Sequence, residues 1–220
     1  MAAMSTSSGP GPRTAADRAY EFAKWAILTG VFAADEAVTE EALAHEVGLG
    51  RTPAREALLR LEAEGLVGVV AGRGAVVSGF STSDAQDVLE ARHLVESHVA
   101  DRSFAHRASL LPQVEAAYAT MRRTHRERDA AAFSAADRDF HELIVEAAGN
   151  AVLSSMYRML RDRQALFSSM ILRGRSDRME AAIEGHARIL AALRGDDREA
   201  FRAALEDHLG WSVRLVQEPR

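Results

Sequence analysis

Residues 49 to 61 read Leu49-Gly50-Arg51-Thr52-Pro53-Ala54-Arg55-Glu56-Ala57-Leu58-Leu59-Arg60-Leu61, and this stretch decides how the first third of the chain folds. Gly48 and Gly50 frame a tight turn, and Pro53 suits the first turn of a helix, where its missing N–H would have no partner anyway. Leu58, Leu59 and Leu61 then give the segment an inward or partly inward side as far as Gly65. Just upstream, Thr39 can cap a helix whose first turn holds Glu40 and Glu41, where the helix dipole favours negative charge. Its apolar positions are Leu43 and Val47, and it stops at Gly48. Two short helices joined by a glycine turn form the helix-turn-helix pattern, in which the second helix offers its N-terminal side chains to the DNA major groove. Arg51, Thr52 and Arg55 hold those positions. Arginine can bond guanine bidentately, and threonine can reach a phosphate or a thymine methyl.

The pattern extends on both sides. Ala19, Phe22, Ala23, Ala26 and Ile27 recur at helical spacing between Ala15 and Thr29 and end at Gly30, which predicts a first helix with a glycine stop. Downstream, Leu66-Val67-Gly68-Val69-Val70, the turn Gly72-Arg73-Gly74 and Ala75-Val76-Val77 read as a β-hairpin with one cation, Arg73, at its tip. Three helices and a hairpin wing make a winged helix-turn-helix over residues 13–78. Residues 1–12 are rich in Gly, Pro and Ser without periodicity, and a disordered tail is expected there.

The chain has 220 residues, 47% apolar and 27% charged, which suits one large core or two small domains and excludes disorder and collagen-like repetition. No apolar stretch approaches the roughly 20 residues that cross a bilayer. The first residues lack the basic and apolar regions of a signal peptide, so a cytoplasmic protein with no membrane partner is expected. With no cysteine, disulfides, cysteine-held zinc and thiol nucleophiles are excluded, and any metal must rest on His and carboxylates. The net charge is -5, and residues 13–78 hold seven Arg or Lys against ten Asp or Glu, so neither half is a basic domain.

Beyond a linker at 79–83, residues 84–220 show amphipathic helical periodicity with Gly, Asn or Asp at the breaks and no strand-like alternation. Six helices are predicted, near 84–105, 109–127, 129–148, 151–172, 176–194 and 197–216. The fold class is therefore mainly α, a winged helix followed by an all-helical bundle. Several polar residues fall on apolar stripes, where a charge or imidazole is costly unless paired, bonded or metal-bound. Asp137 and His141 share the stripe of the third bundle helix with Phe133, Phe140 and Ile144. His186 falls among Ile183 and Ile189 in the fifth, and His208 among Leu205 and Leu215 in the sixth. One carboxylate and three imidazoles aimed at a common interior are the ligand set of a divalent metal ion, zinc first, with nickel and manganese as alternatives. Arg92 lies on the stripe of the first bundle helix, either in an ion pair with Glu96 or as a clamp for a carboxylate ligand. Arg163 is a second, weaker clamp candidate.

The string from Leu49 to Leu58, then Leu61-Glu62-Ala63-Glu64-Gly65-Leu66-Val67 and Gly72-Arg73-Gly74-Ala75, closely resembles the winged helix of GntR-family transcriptional regulators. The resemblance implies that Arg51, Thr52 and Arg55 contact DNA, that Arg60 lies near the backbone, and that Gly72, Arg73 and Gly74 form a minor-groove wing. The chain departs from the family at Gly50, usually Ser or Thr, and at Ala34-Asp35, usually Pro-Gly. Asp137-x-x-Phe140-His141, Ala147-Ala148-Gly149-Asn150, Gly185-His186-Ala187-Arg188 and Asp207-His208-Leu209 are similar to the FCD domain of the FadR subfamily. By that resemblance Asp137, His141, His186 and His208 hold the metal, Arg92 contacts a small organic-acid effector, and the protein is a homodimeric repressor on operator DNA. Two rivals remain: a metal-dependent enzyme, which lacks a convincing general base because Glu142 points off the stripe, and a regulator with a purely structural metal.

Overall fold

The computed structural model describes residues 14–70, 74–172 and 175–217, and the chain divides after Gly79 into two compact units. The expected tail at 1–12 and the wing-tip residues Gly72 and Arg73 lie outside the described residues.

The first unit runs α1 (Ala15–Thr29), β1 (Ala37–Val38), α2 (Glu40–Val47), α3 (Arg51–Ala63), β2 (Val67–Val70) and β3 (Gly74–Val77). Thr14 and Asp17 close a capping box at the start of α1, and Gly30 ends it in the left-handed conformation. Thr39 caps α2 by accepting from the Ala42 N–H at 3.0 Å. The cap of α3 is Gly50, which has no side chain to offer, so the amides opening that helix lack a side-chain acceptor from it. The third helix ends at Ala63, short of the expected Gly65. Strand β1 has no signature in the sequence, because two residues carry no period. It pairs antiparallel with β3, giving the sheet order β1-β3-β2. Gly74 has φ 90, and a β-carbon there would stand 2.6 Å from the Val38 carbonyl, so glycine is required for β3 to meet β1. Ala23, Leu43, Ala57, Leu61 and Leu66 are fully buried in this unit. Leu59, expected inward or partly so, is largely exposed.

The second unit holds α4 (Thr82–Ala105), α5 (Arg107–Arg126), α6 (Ala130–Ala147), α7 (Ala151–Leu172), α8 (Ser176–Arg194) and α9 (Arg198–Gln217). The linker expected at 79–83 is cut short. Ser81 accepts from the Asp84 N–H while Asp84 bonds back to Ser81, so Thr82 and Ser83 are already helical. Gly149, with φ 68, separates α6 from α7, and the Asn150 side chain caps the latter through the Val152 and Leu153 amides. Phe133, Phe140, Ile144, Ile189, Phe201 and Leu205 are fully buried in one core cluster, each contributing about 1.5–3 kcal/mol by leaving water. That core fixes the faces of α6, α8 and α9 that carry the polar stripe residues.

Candidate functional site

In the first unit the exposed face of α3 carries Arg51, Thr52 and Arg55, all outside the core. Arg51 pairs with Glu41 at 2.8 Å, and Arg55 lies 3.8 Å from Glu40. These carboxylates come from the first turn of α2, so the residues that complement its dipole also shield the arginines. Arg60, expected near the DNA backbone, has partners within the unit. It bonds Asp17 at 2.8 Å and stacks 3.9 Å over the Tyr20 ring, fastening α3 to α1. Its hydrogen bond, with those from Thr14, lowers the Asp17 pKa to about 2. Gly74 serves sheet closure, and Gly72 and Arg73 lie outside the described residues.

In the second unit α6, α8 and α9 bring Asp137, His141, His186 and His208 together, one ligand atom from each lying within 4.8 Å of all the others. His141 Nε2 is 3.2 Å from His186 Nε2 and 3.3 Å from His208 Nε2, and Asp137 Oδ1 is 3.3 Å from His186 Nε2. The other ring nitrogens explain the orientation. His141 Nδ1 donates to Glu96 Oε2 at 2.6 Å, and His186 Nδ1 donates to the Ala182 carbonyl at 2.7 Å. Both imidazoles then turn an Nε2 lone pair inward. Inward-facing lone pairs beside a carboxylate repel unless a cation or shared protons lie between them. Neighbouring ligands held about 2.0–2.1 Å from one zinc stand roughly 2.9–3.4 Å apart, from octahedral to tetrahedral angles, and the three closest donor pairs fall in that range, so the donor set fits a divalent metal, with positions left open where the shell exceeds four.

Electrostatics agree with the geometry. Burial pushes the His208 pKa well below its ordinary value, helped by His186 and His141, and burial likewise lowers His141. For Asp137, burial is outweighed by the His186 and His141 rings beside it, leaving its carboxyl below the usual range. Burial thus disfavours the charged forms of His141 and His208 while Asp137 is held ionised, the states a metal requires of those ligands.

Arg92 is 2% exposed and forms the ion pair with Glu96 that is one of its two readings. Its Nε donates to Glu96 Oε1 and to the Tyr157 hydroxyl, each at 3.1 Å, while Tyr157 donates to Glu96 Oε1 at 2.6 Å. Arg92 also lines a cavity of about 60 Å³ with Asp137, Ser134, Gln164, Trp211 and Leu215. Burial opposes the charge on Arg92, but Tyr157 and Glu96 outweigh it and the guanidinium stays ionised. Arg163 does not join this site. It is exposed and its charge acts on Asp84, because α7 turns Gln164 toward the cavity. Glu142 pairs with Arg161 and lies 4.0 Å from Arg158, so it offers the cluster no free base.

The roles of three residues of the site are not legible in the sequence. In the sequence Glu96 offers a partner for Arg92, and in the structure it also fixes the His141 ring. Tyr157, far along the chain, gave no signal. Gly185 did give one, a glycine inside a helix, where it costs about 1 kcal/mol relative to alanine. A β-carbon there would collide with the His208 ring, so the glycine opens the space that ring occupies.

Residues 15–77 match the family described as bacterial regulatory proteins, gntR family, and residues 87–210 match the FCD domain. The chain is 27% identical over 213 residues to the HTH-type transcriptional repressor GlaR of Escherichia coli, covering 90% of this chain and 94% of that one. It is 30% identical over 205 residues to the Uxu operon regulator of Haemophilus influenzae, covering 83% and 74% respectively. Among solved structures, E. coli McbR/YncC shares the fold with a TM-score of 0.80 at 18% identity, covering 93% of this chain and 97% of that one.

Proposed function

The chain belongs to the GntR family of bacterial regulatory proteins and carries an FCD domain, and from that premise we propose a repressor whose grip on operator DNA is set by a small carboxylate bound at a divalent metal. Arg51, Thr52 and Arg55 would read the major groove from α3, two copies of the chain meeting two half-sites. Asp137, His141, His186 and His208 would hold the metal, which supplies a Lewis-acid anchor for an effector carboxylate. Arg92 would grip the same carboxylate, its charge kept by Glu96 and Tyr157. Effector binding would then bias the arrangement of the helical units, and with it the spacing of the two winged helices.

The observation that carries this reading is the convergence of Asp137 and three imidazoles beside a cavity lined by a buried, charged arginine. The regulator reading is favoured over a metalloenzyme because the relatives named above are regulators and because Glu142 is already paired. Operator fragments selected from a random pool provide the test. Arg55→Ala should weaken their binding about tenfold or more, and His186→Ala should lose metal in elemental analysis of the purified protein. Normal DNA binding by the first, or full metal content in the second, would refute the corresponding assignment.

A further inference from the structure

The cavity beside the cluster holds three serines, and their hydroxyls are not equivalent. Ser168 donates to the Gln164 carbonyl at 2.7 Å, and Ser212 donates to the His208 carbonyl at 3.2 Å. Both are spent on their own helices, as helical serines usually are. Ser134 is 1% exposed, and its hydroxyl has no hydrogen-bond partner among the described residues. A buried, unsatisfied hydroxyl destabilises the fold unless something else meets it. Ser134 lies one helical turn before Asp137 on α6, and the two residues line the same cavity.

Size and lining narrow what can enter. Since one water needs about 10–15 Å³, a cavity of about 60 Å³ holds roughly four to six water-sized groups. Apart from Arg92, Asp137, Gln164 and the serines, its wall is apolar, with Leu89, Phe167, Trp211, Leu215 and Val216 facing the space. A polyhydroxylated acid would exceed the volume and leave hydroxyls against hydrocarbon without partners, which is costly. A short acid with a carboxylate at one end, one further oxygen beside it and an alkyl remainder matches each wall.

Resting on the effector reading above, we propose that the ligand is a 2-hydroxy or 2-oxo monocarboxylate of about three or four carbons, and that Ser134 selects it by bonding the oxygen on its second carbon. The carboxylate is met by Arg92 and the metal, the second oxygen by Ser134, and the alkyl end by Trp211 and Leu215.

The test uses the full-length, zinc-loaded protein and calorimetric titration with lactate, 2-hydroxybutyrate, propionate, butyrate, citrate and gluconate. The hydroxy acids should bind, and propionate and butyrate should bind at least about tenfold more weakly for want of the second oxygen. Citrate and gluconate should fail to bind. Ser134→Ala should lower the affinity for lactate about tenfold while leaving propionate, zinc content and DNA binding unchanged. Its unliganded melting temperature should hold or rise, because the variant removes an unpaired hydroxyl; this separates a lost contact from a damaged fold. Equal binding of lactate and gluconate would overturn the size class, and equal lactate affinity in the wild type and Ser134→Ala would overturn the role of the serine. Failure of every acid on zinc-loaded protein would refute the carboxylate-sensing reading itself.

Discussion

Each unit sets arginine beside glutamate, and the two settings are opposites. Arg51 and Glu41 are 67% and 76% exposed at 2.8 Å, whereas Arg92 and Glu96 are 2% and 0% exposed at 3.1 Å. In water such a pair contributes about 0–1 kcal/mol and is readily exchanged for another partner. Buried, it is held by desolvated neighbours, and removing one member strands the other at a cost of about 3–5 kcal/mol. The first pair can therefore open when a phosphate or base competes for the arginine. The second belongs to the scaffold that orients His141, so under the proposed function ligand sensing would be tied to the stability of the helical unit in a way that DNA contact by the first would not.

The sharpest way to break this contrast is to delete the carboxylate from each pair. Glu96→Ala strands Arg92 and removes the acceptor for His141 Nδ1, and should destabilise the helical unit by about 3–5 kcal/mol in denaturant unfolding. Glu41→Ala should shift stability by no more than about 0.5 kcal/mol. Similar values for the two would mean that burial is not what distinguishes them.

Acid should separate the units next. In metal-stripped protein, His141 and His208 have folded pKa values below the ordinary 6.5, so below that pH the unfolded chain binds protons that the folded chain refuses. The helical unit is therefore at full stability above pH 6.5 and loses it as the pH falls from there. The first unit responds later. Asp17, lowered from 3.8 to about 2 by Arg60 and Thr14, contributes stability above pH 3.8 that is lost as the pH falls toward 2. Circular dichroism melts across pH 7 to 3 should show the helical unit weakening first, and bound zinc should delay it by competing with protons for the ring nitrogens. Simultaneous loss of both units would contradict the assignment of neutral, buried imidazoles.

Much of this contrast could be read from the chain itself. The periodicity of Phe133, Phe140 and Ile144 placed Asp137 and His141 on a buried face, and the same argument placed His186 and His208. That works because a helix has a fixed period and a long core-facing stripe. What stayed hidden depends on partners distant in sequence. Tyr157 reaches Glu96 across 61 positions, and no periodic signal on α7 announces it. Arg163 and Gln164 are neighbours, and which one turns inward depends on helix rotation, which a weak stripe does not fix. Strand β1 exists only because β3 supplies its hydrogen bonds. At Arg60, sequence showed a cation on the recognition helix but not Tyr20 and Asp17 waiting on α1.

The smallest predicted effect probes the exposed pair where DNA would compete for it. Glu41→Gln keeps the shape and the hydrogen-bonding reach of the side chain but removes its charge. Arg51 no longer has to leave an ion pair to reach DNA, and one negative charge is withdrawn from the approaching phosphates. Operator affinity should rise about two- to fivefold, the scale of one exposed ion pair. The gain should be largest at low ionic strength and shrink as salt shortens the Debye length from about 30 Å at 0.01 M to about 8 Å at 0.15 M. Fluorescence anisotropy at these two salt concentrations measures both quantities. An unchanged affinity at low salt would mean that Glu41 does not restrain Arg51, and a loss would mean that the pair positions the arginine for its base; either result would erase the distinction between an exchangeable surface pair and a structural buried one.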